Sequence, residues 1–306
     1  MRIPTTSPPY RSTAPMLLSL LLTLTPTKPT TLEGFYGRQV QAWFLNQVAQ
    51  HDPGMAEELH HYNGMRPYTL SSLILPQAGP REENGEVHVL PGNECQIRIT
   101  SLSTSLSEFI LSSIISNLPQ TLRLKWSDFK ELRLSKENQW DRQTTFEDLV
   151  REAENASSES VTLEFASPTA FRSGQIDLTL PTPDQVWRSL WWRWNTFAPV
   201  HLHIDPLWPE FAAKCIVVSD FLLRSMKVTF KQGEKGAATG CTGRATYRLL
   251  PERHCGDYAP FRPGTEQVLC TLAGFAIFSG IGHHTTIGLG QSRWMDNLQA
   301  DVNPMD

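Results

Sequence analysis

The chain has 306 residues, long enough for two cores, and 40% of them are hydrophobic, as in an ordinary folded protein. Its formal net charge of −4 argues against a generic polyanion binder, but a total can hide a local patch. Between Phe221 and Arg262, eight Lys or Arg stand against three acids, a local balance of +5. Five cysteines (95, 215, 241, 255 and 270) are odd in number and never in C-x-x-C spacing, which speaks against a disulfide framework or zinc ribbon and for reduced thiols in the cytoplasm.

Residues 1–15 are rich in Pro, Ser and Thr and are expected to form a disordered extension, with Met16 a candidate natural start. The apolar run from Met16 to Leu24 imitates a secretory leader, with Arg2 and Arg11 upstream. Thr-Pro-Thr-Lys-Pro follows it where small cleavage-site residues belong, and it is too short to span a bilayer. It is expected to be a central strand. A helix is expected near 37–50, where Val40, Trp43, Phe44 and Val48 recur at helical spacing. Asp52-Pro53 restarts the chain as a second short helix, with Asp52 as N-cap and Pro53 at the first helical position, running to His60 or His61. Gly64 ends it, and Tyr68 to Leu75 reads as a strand. A turn from Gly79 to Glu86 leads to strands near 87–90 and 94–100, a helix from Ser105 to Asn117, and strands near 121–126 and 129–134. Strand, helix, strands, helix, strand is the order of a ferredoxin-like βαββαβ unit, expected over residues 16–136.

Residues 137–160 are polar with seven acids and are expected to be a linker. A second unit, 161–295, opens with a strand at Val161–Phe165. Its helix from Asp184 to Asn195 places Trp187, Leu190, Trp191 and Trp194 on one face, a stripe expected in the core rather than as a base-stacking platform. Strands follow over Val217–Phe230 and Gly240–Leu250. In the latter, Arg244 and Arg248 fall on the same side. From Pro260 to Phe278 the chain reads as a helix, or a helix running into a strand, and the apolar run Val268–Phe278 by itself reads as a buried strand. Residues 296–306 are expected to be a tail.

Two stretches carry candidate chemistry. In Phe278-Ser-Gly-Ile-Gly-His-His-Thr-Thr-Ile-Gly-Leu-Gly-Gln291, glycines 280, 282, 288 and 290 form two Gly-x-Gly pairs around a polar tip. Glycine permits positive φ and close backbone approach, so this is either a tight packing loop or one that aims N–H groups at a phosphate chain. The other stretch runs from Leu59 through His60, His61, Gly64, Arg66 and Tyr68 to Ser71. A histidine at a helix end can act as an acid or base near neutral pH, and Arg66 can steady a developing negative charge. A solvent-facing histidine favoured by the helix dipole is the plain alternative. The pairs His60-His61, His201-x-His203 and His283-His284 invite a metal reading. Adjacent histidines on one backbone rarely converge on one ion, however, and no carboxylate or cysteine spacing completes a set. Neither a metal nor a cofactor is expected.

Taken together, these motifs resemble the CRISPR-associated repeat-processing endoribonucleases of the RAMP superfamily, from Met16 to about Met295. Gly280 to Gly290 is similar to that family's glycine-rich loop. Leu59-His60 followed by Gly64, Arg66 and Tyr68-Thr-x-Ser71 is similar to its catalytic-histidine region. Gly240-x-x-Gly243 with Tyr247-Arg248 is similar to the basic hairpin of its second domain. The resemblance implies an α+β chain of two tandem ferredoxin-like (RRM-like) βαββαβ domains. It also implies metal-independent cleavage of CRISPR precursor RNA within its repeats, by attack of a 2′-OH that leaves a 2′,3′-cyclic phosphate and a 5′-OH. By position, His60 is the implied general acid/base, and Arg66 stands where some relatives have a charge-stabilising lysine. Leu45 stands where relatives can carry a tyrosine, which leaves Tyr36 and His61 as candidates for a second proton-transfer group. RNA contacts are implied at Gly280, Gly282, His283, His284, Thr285, Gly288 and Gly290, and on the hairpin at Lys231, Lys235, Arg244 and Arg248. The implied partners are repeat RNA or the guide RNA made from it, with other CRISPR effector subunits as further candidates and no membrane. The alternative is a non-catalytic guide-RNA-binding subunit built on the same domains. A nucleotide-binding enzyme using the glycine loop fits less well, because no Walker lysine-serine pair and no strand-GxGxxG-helix context with a following acid accompany it.

Overall fold

Met16–Pro26, rich in Leu and Thr, forms β1, and it is buried along almost its whole length, as expected of a strand at the centre of a sheet. The computed structural model describes residues 16–295 apart from 33, 62–63, 76–86, 136–137 and 231–235. The expected turn at 79–86 therefore lies outside the described residues. β2 (Thr30–Leu32) is followed by α1 (Gly37–His51) and α2 (Pro53–His61), then by β3 (Tyr68–Leu70), β4 (Val87–Val89) and β5 (Cys95–Ser101). A helical stretch begins as α3 (Thr104–Phe109), widens into a π turn over Ile110–Ile114 and tightens to a 3₁₀ turn over Ile115–Asn117. β6 (Thr121–Leu124) and β7 (Ser127–Leu134) close the unit.

The order across this sheet is β3-β5-β1-β7-β6. Counting β1, β3, β5 and β7 as the four strands of one unit gives the spatial order 2-3-1-4. The C-terminal half repeats it. β9 (Ser160–Thr169) is followed by a small hairpin of β10 (Phe171–Ser173) and β11 (Ile176–Leu178), then by α5 (Pro183–Phe197) and α6 (Trp208–Cys215). The long strands β12 (Ile216–Thr229) and β13 (Ala237–Leu249), helix α7 (Thr265–Ser279) and β14 (Ser292–Met295) complete it. Its order is β12-β13-β9-β14, again 2-3-1-4. Two tandem ferredoxin-like domains are therefore present, as expected.

Two elements differ from the expectation. Residues 137–160 hold a strand, β8 (Arg142–Thr145), and a helix, α4 (Phe146–Ala156). The acids that read as a polar linker belong partly to the first turn of α4, where Glu147 and Asp148 suit the helix dipole and Thr145 Oγ1 accepts the Asp148 N–H at 3.0 Å. β8 pairs with Met16–Ser19 of β1 in the N-terminal sheet, whereas Phe146, Leu149 and Ala153 of α4 sit in the C-terminal core. The segment thus joins the two halves. The apolar run 268–278 is not a strand but the middle of α7, in which twelve of fifteen residues are buried. A helix covered on all sides has no polar stripe to reveal its period.

The tryptophan stripe is core: Trp187, Leu190 and Trp194 are fully buried, and Trp191 is half-buried with its indole N–H donating to the Ile204 carbonyl at 3.1 Å. All five cysteines are buried and free. Among the described residues no helix is long and apolar enough to cross a membrane, and no three His, Cys, Asp or Glu side chains gather as a metal-ligand set.

Candidate functional site

α1 presses Val40, Phe44 and Val48 into the N-terminal core, and α2 folds back beside it. Asp52 caps α2 as its sequence requires, its Oδ1 accepting the Met55 N–H at 3.0 Å. Leu59 points inward at 5% exposure, and the next residue, His60, is exposed near the C-terminal end of α2. Arg66 returns to this end, its Nη2 donating to the His60 carbonyl at 3.3 Å. Tyr68, which the motif contained but sequence reasoning gave no role, is fully buried two residues beyond, at the start of β3. Burial raises its hydroxyl pKa, against the Gln41 hydrogen bond at 3.4 Å and the charge of Arg66. His60 and Arg66 are therefore brought together. Tyr36 is placed in the N-terminal core at 4% exposure, under the Lys125 ammonium 4.4 Å from its ring centre, and Leu45 packs against the same core. His61 ends α2, but its side chain lies outside the described residues.

The glycine loop follows α7 and is anchored from several sides. Gly280, Gly282, Gly288 and Gly290 all have positive φ. A Cβ on Gly282 would lie 2.3 Å from the Ala170 carbonyl oxygen, and one on Gly290 would lie 2.1 Å from that of Ile281. The N–H groups expected to cradle phosphate are largely used inside the protein. Gly282 N–H donates to Ser189 Oγ (2.9 Å), His283 N–H to the Ala170 carbonyl (3.0 Å), and Gly290 N–H to the Pro168 carbonyl (3.0 Å). Thr285 is buried and its Oγ1 accepts from Arg193 Nη1 at 3.3 Å, while Arg193 Nη2 donates to the Gly282 carbonyl at 2.6 Å. As a result, the loop's glycines serve close packing, and the ring side chains it offers are His284, exposed, and His283, half-buried.

The same loop sutures the halves of the molecule. Gly288 forms a parallel bridge with Ser71, and a Cβ on Gly37, at the start of α1, would lie 1.7 Å from the Ile287 carbonyl oxygen. Gln291 Nε2 donates to the Leu70 carbonyl at 3.1 Å, and its Oε1 accepts from Arg98, a guanidinium buried in the N-terminal sheet. Burial lowers the Arg98 pKa to about 9, which leaves it charged at neutral pH.

Where the α2–β3 connection meets the loop, a pocket of about 290 Å³ opens. Met65, beside Arg66, forms one wall, and Gly282 and His283 form another. Phe171 and Arg172 of β10 and Gln185, Arg188, Ser189, Trp192 and Arg193 of α5 supply the rest. The His283 imidazole is pushed down to about 4 by burial and then by His284, so it is neutral at physiological pH; its Nε2 lies 3.4 Å from Asp177 Oδ1. Burial also lowers the His284 pKa. The His284 ring lies between that of His283 (4.2 Å) and that of Phe230 (5.8 Å), with the Arg38 guanidinium 5.3 Å from the Phe230 ring centre. Arg38, Arg172, Arg188 and Arg193 were missed in the sequence, because each is a lone arginine until the fold gathers them.

Of the hairpin cations, Arg244 is half-buried and Arg248 exposed, both on the outer side of β13, while Lys231 and Lys235 lie outside the described residues. Arg244 stands opposite Glu164 of β9, whose Oε2 accepts from Arg293 Nε at 2.5 Å.

Two ferredoxin-like sheets of one strand order, sutured through a glycine-rich loop, define a tandem ferredoxin-like chain. The model of the CRISPR-associated endoribonuclease Cas6 matches residues 163–292 and that of the Cas6 N-terminal domain matches residues 16–123, so the chain belongs to the Cas6 family. Solved structures share the fold. The product complex of a Cas6 from Thermus thermophilus (TTHB231) superposes with a TM-score of 0.70 at 24% identity, over 91% of this chain and 100% of that one. The product complex of another Cas6 (TTHA0078) gives 0.68 at 22%, over 92% and 100%. A RAMP protein described as binding different RNA substrates gives 0.58 at 14%, over 92% and 100%. No curated protein matches the chain.

Proposed function

We propose that this chain cleaves CRISPR precursor RNA within its repeats by transesterification, using no metal ion. The observation that carries the reading is that His60 and Arg66 meet at the end of α2 while Met65, next to Arg66, walls an arginine-lined pocket at the glycine loop. The nucleophile is the 2′-OH of the nucleotide upstream of the cut. Its oxygen attacks the phosphorus as the bond to the 5′-oxygen of the next nucleotide breaks, giving a 2′,3′-cyclic phosphate and a 5′-OH. One proton leaves the 2′-oxygen and one reaches the departing 5′-oxygen. His60, exposed and imidazole-based, makes one of these transfers, and solvent makes the other. Arg66 faces the charge that grows on the phosphoryl oxygens. Tyr36 is a poor partner for His60 because its side chain is committed to the core. The arginines around the pocket hold the flanking phosphates. Further CRISPR effector subunits are expected to receive the product, in the cytoplasm.

The test is incubation of the protein with a repeat RNA in EDTA, alongside the same RNA carrying a deoxyribose upstream of the cut. Cleavage of the first and not the second is expected. Cleavage of both would overturn the transesterification step. Binding without cleavage of either would leave a guide-RNA-binding subunit.

A further inference from the structure

α5 carries two stripes at helical spacing. Val186, Trp187, Leu190 and Trp194 face the core, whereas Gln185, Arg188, Ser189 and Trp192 follow the i, i+3, i+4, i+7 pattern on another face. That second face is turned to the pocket at the glycine loop, and Trp192 is 62% exposed there. An indole left in water beside a cavity gives up apolar contact that burial elsewhere would provide. Two of the pocket's polar atoms also lack hydrogen-bond partners: Arg193 Nε, on a side chain 7% exposed, and His283 Nε2. The cavity, about 290 Å³, has on the order of ten waters' volume, room for one flat heterocycle rather than a stack.

We propose that this pocket receives a single unstacked nucleobase of the RNA, adjoining the scissile phosphate, with Trp192 as its stacking platform and Gln185 and His283 on its edge. That the base adjoins the scissile phosphate rests on the endoribonuclease reading, because Met65, one residue from Arg66, forms the pocket wall. Stacking is tolerant of base identity, since every base has a π-face. Gln185 adds selectivity, because its amide offers both a donor and acceptors to a base edge. A neutral imidazole also offers one donor and one acceptor. Arg188, one turn before Trp192 and exposed, reaches the phosphate and not the base. The two residues therefore have separable signatures: base contacts act at one position, phosphate contacts at all sequences alike.

The experiment uses the full chain and a set of repeat RNAs, each with one abasic nucleotide, scanned across the cut. Affinity and single-turnover cleavage are measured for the wild type, Trp192→Ala, Trp192→Phe and Arg188→Ala. Wild type should show one position next to the cut where the abasic RNA binds about 5- to 100-fold more weakly, the range for one base stacked on an aromatic ring. Trp192→Ala should abolish that penalty at that position alone, Trp192→Phe should keep most of it, and Arg188→Ala should weaken every RNA of the set by a similar factor. Because Trp192 lies off the core face of α5, its variants should melt with the wild type. A penalty map identical in wild type and Trp192→Ala would overturn the proposal and leave Trp192 as a surface for another protein. A wild type that cuts normally without a Trp192-dependent position sinks this inference and keeps the endoribonuclease reading. A wild type that binds with the Trp192-dependent penalty but never cuts does the reverse.

Discussion

The end of α2 and the glycine loop are neighbours built on opposite plans. His60 stands in solvent, and Arg66 commits one nitrogen to its carbonyl. The loop commits its backbone: its N–H groups serve Ser189, Ala170 and Pro168, and its glycines exist because backbone atoms of neighbouring segments stand where Cβ atoms would be. A glycine-rich motif reads in sequence as a cradle for a ligand, yet here it works as a joint. What separates the two cases is whether buried donors are already satisfied, since a satisfied N–H has little left to offer a phosphate. On the proposed reading, the chemistry then falls to the side chains that the joint sets in place.

Substitutions at the two regions should behave as differently as their construction. His60→Ala should slow single-turnover cleavage by about 10²- to 10⁴-fold with unchanged melting and RNA affinity, and full activity would move the acid/base role to His61 or His284. Gly282→Val should cost about 3 kcal/mol or more of folding stability in denaturant titrations, because valine meets both a positive φ and the Ala170 carbonyl. A normally folded Gly282→Val protein that has lost RNA affinity would restore the cradle. Replacing Arg244 and Arg248 together with Ala should make the salt dependence of RNA binding shallower by about one to two units of slope. An unchanged slope would place both in intramolecular pairs. His283→Asn should alter stability little at pH 7.5. Its effect appears in acid: the folded-state pKa of His283 lies near 4, below the ordinary 6.5, so protonation favours the unfolded chain. Wild-type stability should fall as pH drops from about 6.5 towards 4, and the variant should lose less over that window. Parallel melting curves against pH would remove His283 from the buried set.

The fold was legible where local pattern and tertiary role agreed. The leucine run of β1, the Asp52-Pro53 helix start and the tryptophan stripe of α5 each occupy the place their residues suggest. α7 was ambiguous because burial on all sides erases the polar phase that distinguishes a helix from a strand. α4 reads as a linker in sequence because its acids outnumber its few buried residues, although Thr145 and Asp148 spell a cap. His60 and Arg66 could be paired in advance because only a helix end separates them. The pocket could not, since Met65, Arg172, Trp192 and His283 come from four distant stretches. The outward stripe of α5 looks like any solvated helix face until the loop is laid beside it.

The suture at Gln291 also sets an order of events during synthesis. Its partners, Leu70 and Arg98, belong to strands made early, whereas Gln291 and β14 come more than 190 residues after Arg98. A ribosome-bound chain that has reached only α7 displays His60 and Arg66 with no glycine loop beside them and no fourth strand in its second sheet. The joint closes when the last described strand emerges, consistent with domain-wise folding from the N-terminus. The proposed RNA-cutting surface therefore becomes complete only after translation has passed β14, and fragments released earlier carry the histidine without the pocket beside it.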